Sequence, residues 1–289
     1  LEALPFMLLG TLIGGFIEVF VSRDQITGFF PQRRWYTTLI AAGLGVVFPV
    51  CECAIVPIIW RLVKKGIPLG AAVAFLLGGP IANPIVFAST AVAYGYDWKI
   101  ALGRIGLGYI IAVGIGLLVD LMFTKKKAIH DRVLEEQEPD DTHGGRGQDA
   151  QTSLWQKSAQ AVRHGADDFI QIGGYLVFGA FAAGLIQVAV SRQDIVSLVG
   201  YPPISVLMMM GLAIILNLCS ETDAFIAASF RFTAIPISAQ MAFMTLGPML
   251  DIKLVIMYMM LFKKRFIAVL AALILTVIFT AAMILELVP

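Results

Sequence analysis

Residues 2–21, 98–123, 169–190 and 266–287 each form an apolar run that ends in charge. Each run is long enough to cross the ~30 Å hydrocarbon core of a bilayer as a helix, which takes about 20 residues. A chain with four such runs is read as a polytopic, all-α membrane protein. Composition agrees: 58% of residues are hydrophobic and 14% charged, with a mean hydropathy of +0.84, whereas a soluble domain carries about 25% charged residues. An ordinary soluble enzyme is excluded. The net charge of +1 leaves no basic footprint for nucleic acid. Residues 1–21 lack the basic start and small-residue cleavage site of a signal peptide and read as a span.

Between these runs the apolar sequence is interrupted by Pro, Gly and polar residues. In lipid such a break leaves backbone groups unpaired, so it must be enclosed by protein or line a cavity. Residues 125–168 differ in kind: they hold Lys125-Lys126-Lys127, an acidic run, and His130, His143 and His164. This stretch reads as a solvent-exposed, largely disordered linker. It divides the chain into a first membrane repeat, 1–124, and a second, 169–289.

The two halves repeat one another. Cys51 and Cys219 lie 168 positions apart, and the same offset pairs Ile67-Pro68 with Ile235-Pro236, Ala74-Phe75 with Ala242-Phe243, and Gly79-Pro80 with Gly247-Pro248. Basic residues near span ends orient the repeats, since they favour the cytoplasmic side. With the linker inside, Lys263-Lys264-Arg265 must also be inside, so the repeats are expected to be inverted. Arg33, Arg34, Lys64 and Lys65 fall inside if residues 35–63 form a re-entrant hairpin with its tip at Cys51-Glu52-Cys53. A single broken crossing, which would put Arg61, Lys64 and Lys65 outside, is the rival. Residues 67–94 and 235–261 then cross once each, as discontinuous helices broken at 78–84 and at Gly247-Pro248. Inverted repeats with broken helices meeting near the midplane are a transporter architecture.

The tips hold the candidate substrate-binding groups. Cys51 and Cys53 flank Glu52, and the symmetric tip supplies Cys219, Glu221 and Asp223. Thiolates favour soft, thiophilic partners that carboxylates and water hold poorly. The plainer readings are that each Cys is a small apolar residue at a helix contact, or that the pair does redox chemistry, for which Glu52 is an unfavourable neighbour. Asp251 occupies the position of Asn83 in the repeat, so a polar group is placed twice just past the Gly-Pro break. Both fit helix capping as well as substrate contact. Lys253 is expected to pair with Asp251 or Glu221. Intramembrane carboxylates are functional hypotheses, and Glu221 or Asp223 is expected to carry a coupling proton. Glu18 and Arg104 lie near span ends and read as snorkelling to the interface. Met208-Met209-Met210 reads as core or lipid contact. No His lies in a span, and no Walker A motif is present, so no cofactor is expected.

The run PVCECAIVPIIWRLVKKGIPLGAAVAFLLGGPIANPIVFAS, residues 49–89, resembles the bacterial predicted-permease family that includes the ArsP and YraQ proteins. Both halves and the hydrophilic middle fit that family. The resemblance implies a multi-pass protein of the bacterial inner (cytoplasmic) membrane with the linker cytoplasmic. It also implies, from ArsP-type members, efflux of trivalent organoarsenicals with Cys51 and Cys53 in recognition. Cys219 joins them through the internal repeat.

The resulting expectation is a proton-coupled permease working by alternating access on a small-molecule substrate. Its partners would be the lipid bilayer and, compatibly with the sequence, a second copy of the chain or a small thiol protein. A carrier for a sulfur oxyanion and a membrane thiol oxidoreductase using the CEC pair are the alternatives.

Overall fold

The computed structural model describes residues 34–46, 52–64, 66–130, 158–163, 165–167, 202–231 and 235–287, together with Leu8, Leu12, Phe16, Phe169, Ile170, Gly174, Val177 and Phe181. The expected spans 2–21 and 169–190, Glu18, Cys51 and most of the linker therefore lie outside the described residues or are only sparsely covered. The described chain is helical, and its one bridge of β type joins Ile129 to Phe262.

In the first half, α1 (Arg34–Gly43) runs into a short 3-10 turn (Leu44–Val46), followed by α2 (Glu52–Lys64), α3 (Leu69–Gly78), α4 (Pro84–Ala93) and α5 (Trp98–Met122). The second half has α6 (Pro202–Leu216), α7 (Asp223–Ser229), α8 (Ile237–Leu246), α9 (Ile252–Leu261) and α10 (Lys264–Leu287). Helices α3 and α8 start and stop 168 residues apart, and so do α4 and α9. The offset read from a few dipeptides thus holds at eight helix ends.

The breaks have the same cause in both halves. Pro80 and Pro248 have no N–H with which to extend the preceding helix. The chain closes each helix end with a matching pair of turn bonds: Ile81 N and Ala82 N donate to Gly78 O at 3.1 and 2.8 Å, and Met249 N and Leu250 N donate to Leu246 O at 2.9 and 2.8 Å. The next helix is then started by a side-chain cap. Asn83 Oδ1 accepts from Ile85 N at 2.9 Å, and Asp251 Oδ1 accepts from Leu254 N at 2.7 Å.

Packing repeats as well. Helix α3 lies against α1, α2 and α5, as α8 lies against α6, α7 and α10. Contacts between the halves are exchanged: α2 meets α9, α7 meets α4, and α5 meets α10. Elements of each half thus meet the counterparts of their own neighbours in the other half. Apolar side chains from nearly every element form one continuous core.

Among the described residues two helices, α5 and α10, are long and apolar enough to span a membrane alone. The end of α5 lies beside the start of α10, with the Phe123 and Phe266 rings 5.1 Å apart and nearly perpendicular. Just past α5 the residues after Lys125-Lys126-Lys127 are ordered. Ala128 and Ile129 are buried, His130 N donates to Leu261 O, and Lys263 N donates to Ala128 O. The start of the hydrophilic stretch, expected to be solvent-borne, is instead tied to the end of α9, because its two apolar residues find a place in the core there.

Within the first half, Tyr109 Oη donates to Leu39 O at 3.0 Å, and Gly70 sits against Gly116 and Asp120 near the end of α5. A turn at Gly66, where φ is +101°, joins the end of α2 to the start of α3. Gly45 and Gly79 then touch backbone to backbone. A Cβ on Gly45 would collide with Gly79 O, so this approach requires a residue without a side chain.

Candidate functional site

Four short helices begin at the interrupted segments, at Glu52, Pro84, Asp223 and Ile252. Residues at the starts of three of them, α2, α7 and α9, enter two buried polar clusters.

The first cluster is built on Lys253. Its Nζ lies 2.9 Å from Glu52 Oε1 and 3.3 Å from Asp251 Oδ2, and all three side chains are buried. Asn217, whose φ of 51° places it in the left-handed region that Asn tolerates, presents its amide to Asp251. With the nitrogen turned toward the carboxylate it donates to Oδ1 at 3.0 Å and Oδ2 at 2.7 Å. Ser220 Oγ donates to Glu52 Oε2 at 3.2 Å. Glu52 and Ser220 are 168 residues apart, so they occupy the same position in the two repeats. This bond therefore joins the two equivalent positions directly.

The second cluster is built on Arg104. Its Nη2 donates to Asp223 Oδ2 at 2.8 Å, Ser220 O at 2.9 Å and Met244 O at 3.1 Å, and its Nη1 donates to Thr90 Oγ1 at 2.8 Å. The side chain is fully buried. Snorkelling, the role expected for Arg104, is thereby overturned: the guanidinium is turned into the protein, where one carboxylate, two carbonyls and a hydroxyl replace its water. Sequence reasoning missed this residue, although a signal was present. Arg104 lies on the α5 stripe of Ala101, Gly108, Ile111, Ile115 and Val119, the face that is buried.

Of the remaining expected site residues, Asn83 and Asp251 take the helix-capping positions described above. Cys219 is half-buried, and its carbonyl accepts from Thr222 N and Asp223 N at the turn that starts α7. Glu221 is partly exposed, next in sequence to Ser220. Cys53 lies in the first turn of α2 and Cys51 outside the described residues. The expected partner of Lys253 is Asp251, joined by Glu52. Met209 and Met210 are buried in the core. Among the described residues no group of three His, Cys, Asp or Glu is arranged to hold a metal ion.

Paired broken helices around a buried charged centre define a polytopic membrane protein of the transporter class. The chain belongs to the family described as "Predicted permease", whose ArsP-type model matches residues 1–287. It is 38% identical over 286 residues to the UPF0718 protein YcgR of Bacillus subtilis, covering 99% of this chain and 94% of the relative. A Streptococcus mutans protein named "Putative two-component membrane permease complex subunit" is 36% identical over 268 residues, covering 92% of this chain and 85% of the relative. The UPF0718 protein YraQ of Escherichia coli is 28% identical over 113 residues, which cover 38% of this chain and 32% of that protein. No solved structure matches the chain. Permeases are transporters, and the family therefore fixes transport across a membrane as the activity.

Proposed function

We propose that the protein is a secondary permease of two inverted repeats, which carries a small thiophilic solute past the tips of two re-entrant hairpins by alternating access. The observation that carries this reading is the Ser220–Glu52 bond across the repeat offset, which joins the two tips at one place.

Inversion is supported by α5 and α10. They are equivalent helices, and the end of one lies beside the start of the other. If both span the bilayer, they cross it in opposite directions. The hairpin is supported by α1 and α2. The chain passes Tyr109 and Gly79 on its way in, α2 begins with Ile55 against Gly79, and its end turns directly into the start of α3 beside Asp120. It thus goes in and comes back to the same end. Arg61, Lys64, Lys125, Lys263 and Lys264 gather at that end, which the basic-loop rule assigns to the cytoplasm, and the linker leaves from it. The host membrane is then the bacterial inner membrane.

For the solute, Cys51 and Cys53 are the chain neighbours of the tip residue Glu52, and Cys219 is the neighbour of Ser220, the position a carrier reserves for its cargo. A trivalent organoarsenical prefers thiolates to oxygen ligands, and a coupling proton is assigned to Glu221 or Asp223. The Streptococcus mutans relative's name suggests a second component for this chain also.

The test is uptake of methylarsenite into everted vesicles holding the wild type or the Cys51→Ser, Cys53→Ser and Cys219→Ser variants. Uptake by the wild type and its loss in the variants is expected. Uptake that survives all three replacements contradicts the thiol site.

A further inference from the structure

The starts of the four central helices are not alike. A helix N-terminus carries N–H groups without helical partners and the positive end of the helix dipole, and it favours a negative charge. At three of the four the chain supplies that charge itself: Glu52 in the first turn of α2, Asp223 in the first turn of α7, and Asp251 as the cap of α9. Helix α4, of ten residues, has no acidic residue in its first turn, and its cap is Asn83.

Asn83 is 1% exposed. Its Oδ1 is engaged by Ile85 N, which fixes the amide over the mouth of the helix. The other half of the amide, Nδ2, is buried and has no hydrogen-bond partner among the described residues. A buried donor left in this state costs about 1–3 kcal/mol, so it marks a place where an acceptor belongs. The equivalent residue in the second repeat is charged. Asp251, 168 positions later, caps its helix at Leu254 N, one residue further along than the equivalent of Ile85 N, and its second oxygen is met by its own cation, Lys253, at 3.3 Å. Where the second repeat carries a charged oxygen the first carries an unanswered donor, and the partner that suits a donor at a helix N-terminus is an anionic oxygen.

The surroundings agree. Arg104 is bonded to α4 through Thr90, and its Nε is likewise buried without a partner among the described residues. Of the nearby acids, Asp223 is paired with Arg104, Asp251 and Glu52 share the one ammonium of Lys253, and Glu221 is partly exposed. Pro84 and Ile85, directly after the cap, are exposed.

We propose that the α4 N-terminus, with Asn83 Nδ2 as the donor, binds the anionic oxygen of the transported solute, which makes that solute a small oxyanion. The inference rests on the reading of the chain as a permease but not on the thiols. Thiosulfate and sulfate, two oxyanions that differ in one atom, are the probes.

The experiment measures thermal unfolding of the purified full chain in detergent against added thiosulfate, sulfate and chloride at constant ionic strength. The wild type is expected to be stabilised saturably by thiosulfate. Asn83→Asp keeps the capping bond to Ile85, fills the site with its own charge, and is expected to lose the response. Asn83→Ser keeps a cap but replaces the amide donor with a hydroxyl one bond shorter, and is expected to weaken binding about tenfold, equal to about 1.4 kcal/mol. The unliganded midpoint of each variant reports its fold. No saturable response of the wild type to either oxyanion overturns the site, as does an undiminished response in Asn83→Asp. A response to chloride as strong as to thiosulfate overturns the oxyanion class. Flux in proteoliposomes separates the two readings. Anion binding without flux of thiosulfate or methylarsenite contradicts the permease, whereas methylarsenite flux in a protein that binds neither oxyanion contradicts the site alone.

Discussion

The break between α3 and α4 and the break between α8 and α9 share a backbone plan and differ in what covers them. Over Gly79 lies Ile55, whose Cδ1 would collide with an added Cβ; over Gly247 lies the Asp223 carboxylate, 3.6 Å from where a Cβ would stand. Those two covering residues are themselves 168 positions apart, as are Leu77 and Thr245, Asn83 and Asp251, and Ile85 and Lys253. One repeat is tightly and apolarly packed at its break. The other carries carboxylates, a hydroxyl and an ammonium at the same places. The two breaks share their geometry, and the buried charge is concentrated at the second, where Glu52 and Arg104 of the first half reach across to meet it. A site assembled in this way belongs to neither half alone.

The largest effect that separates the two breaks is electrostatic. Arg104→Leu leaves Asp223 buried without its counter-charge, and removing one partner of such a pair costs about 3–5 kcal/mol. Thermal or denaturant unfolding in detergent should show that loss. Adding Asp223→Ile, which gives the second break the residue of the first, should recover much of it, and a double variant as unstable as the sum of the singles would break the comparison.

The next effect is steric. Gly79→Ala drives a Cβ into Ile55 Cδ1 and Phe75 O, and overpacking of this kind costs about 1–3 kcal/mol. Gly247→Ala meets its nearest atoms at ordinary contact distance, 3.6 Å, and should stay within about 0.5 kcal/mol of the wild type. Equal costs at the two glycines would contradict the difference in packing. The smallest effect is at the cap: Asn83→Ala removes the bond to Ile85 and should cost about 1 kcal/mol, read in the same unfolding experiment.

Much of this architecture is legible in the amino-acid sequence. The 168-residue offset, the Gly-Pro breaks and the capping pair Asn83 and Asp251 are local features, because Pro, Gly and Asn act on the backbone within a few residues of where they stand. The Asp251–Lys253 pair is legible for the same reason. Arg104 is not. It sits six residues into α5, about 9 Å from the helix start at 1.5 Å per residue, a depth from which a long side chain can turn toward the interface. Its partner Asp223 is 119 residues away, and nothing in the neighbourhood of either residue names the other. The bond between Glu52 and Ser220 is hidden differently, since the offset equates their positions without stating that the two residues touch. In the hydrophilic stretch the charges mask Ala128 and Ile129, whose burial depends on the distant end of α9.

The account turns on the two tips meeting at one centre. The direct test places cysteines at Glu52 and Ser220 in a chain whose Cys51, Cys53 and Cys219 are replaced by Ala, and treats membranes with a short bifunctional thiol reagent. The account predicts an intramolecular cross-link between positions 52 and 220, seen by mass spectrometry of the digested protein. Two thiols that are both modified yet never joined would contradict it, since the two halves would then not share a site.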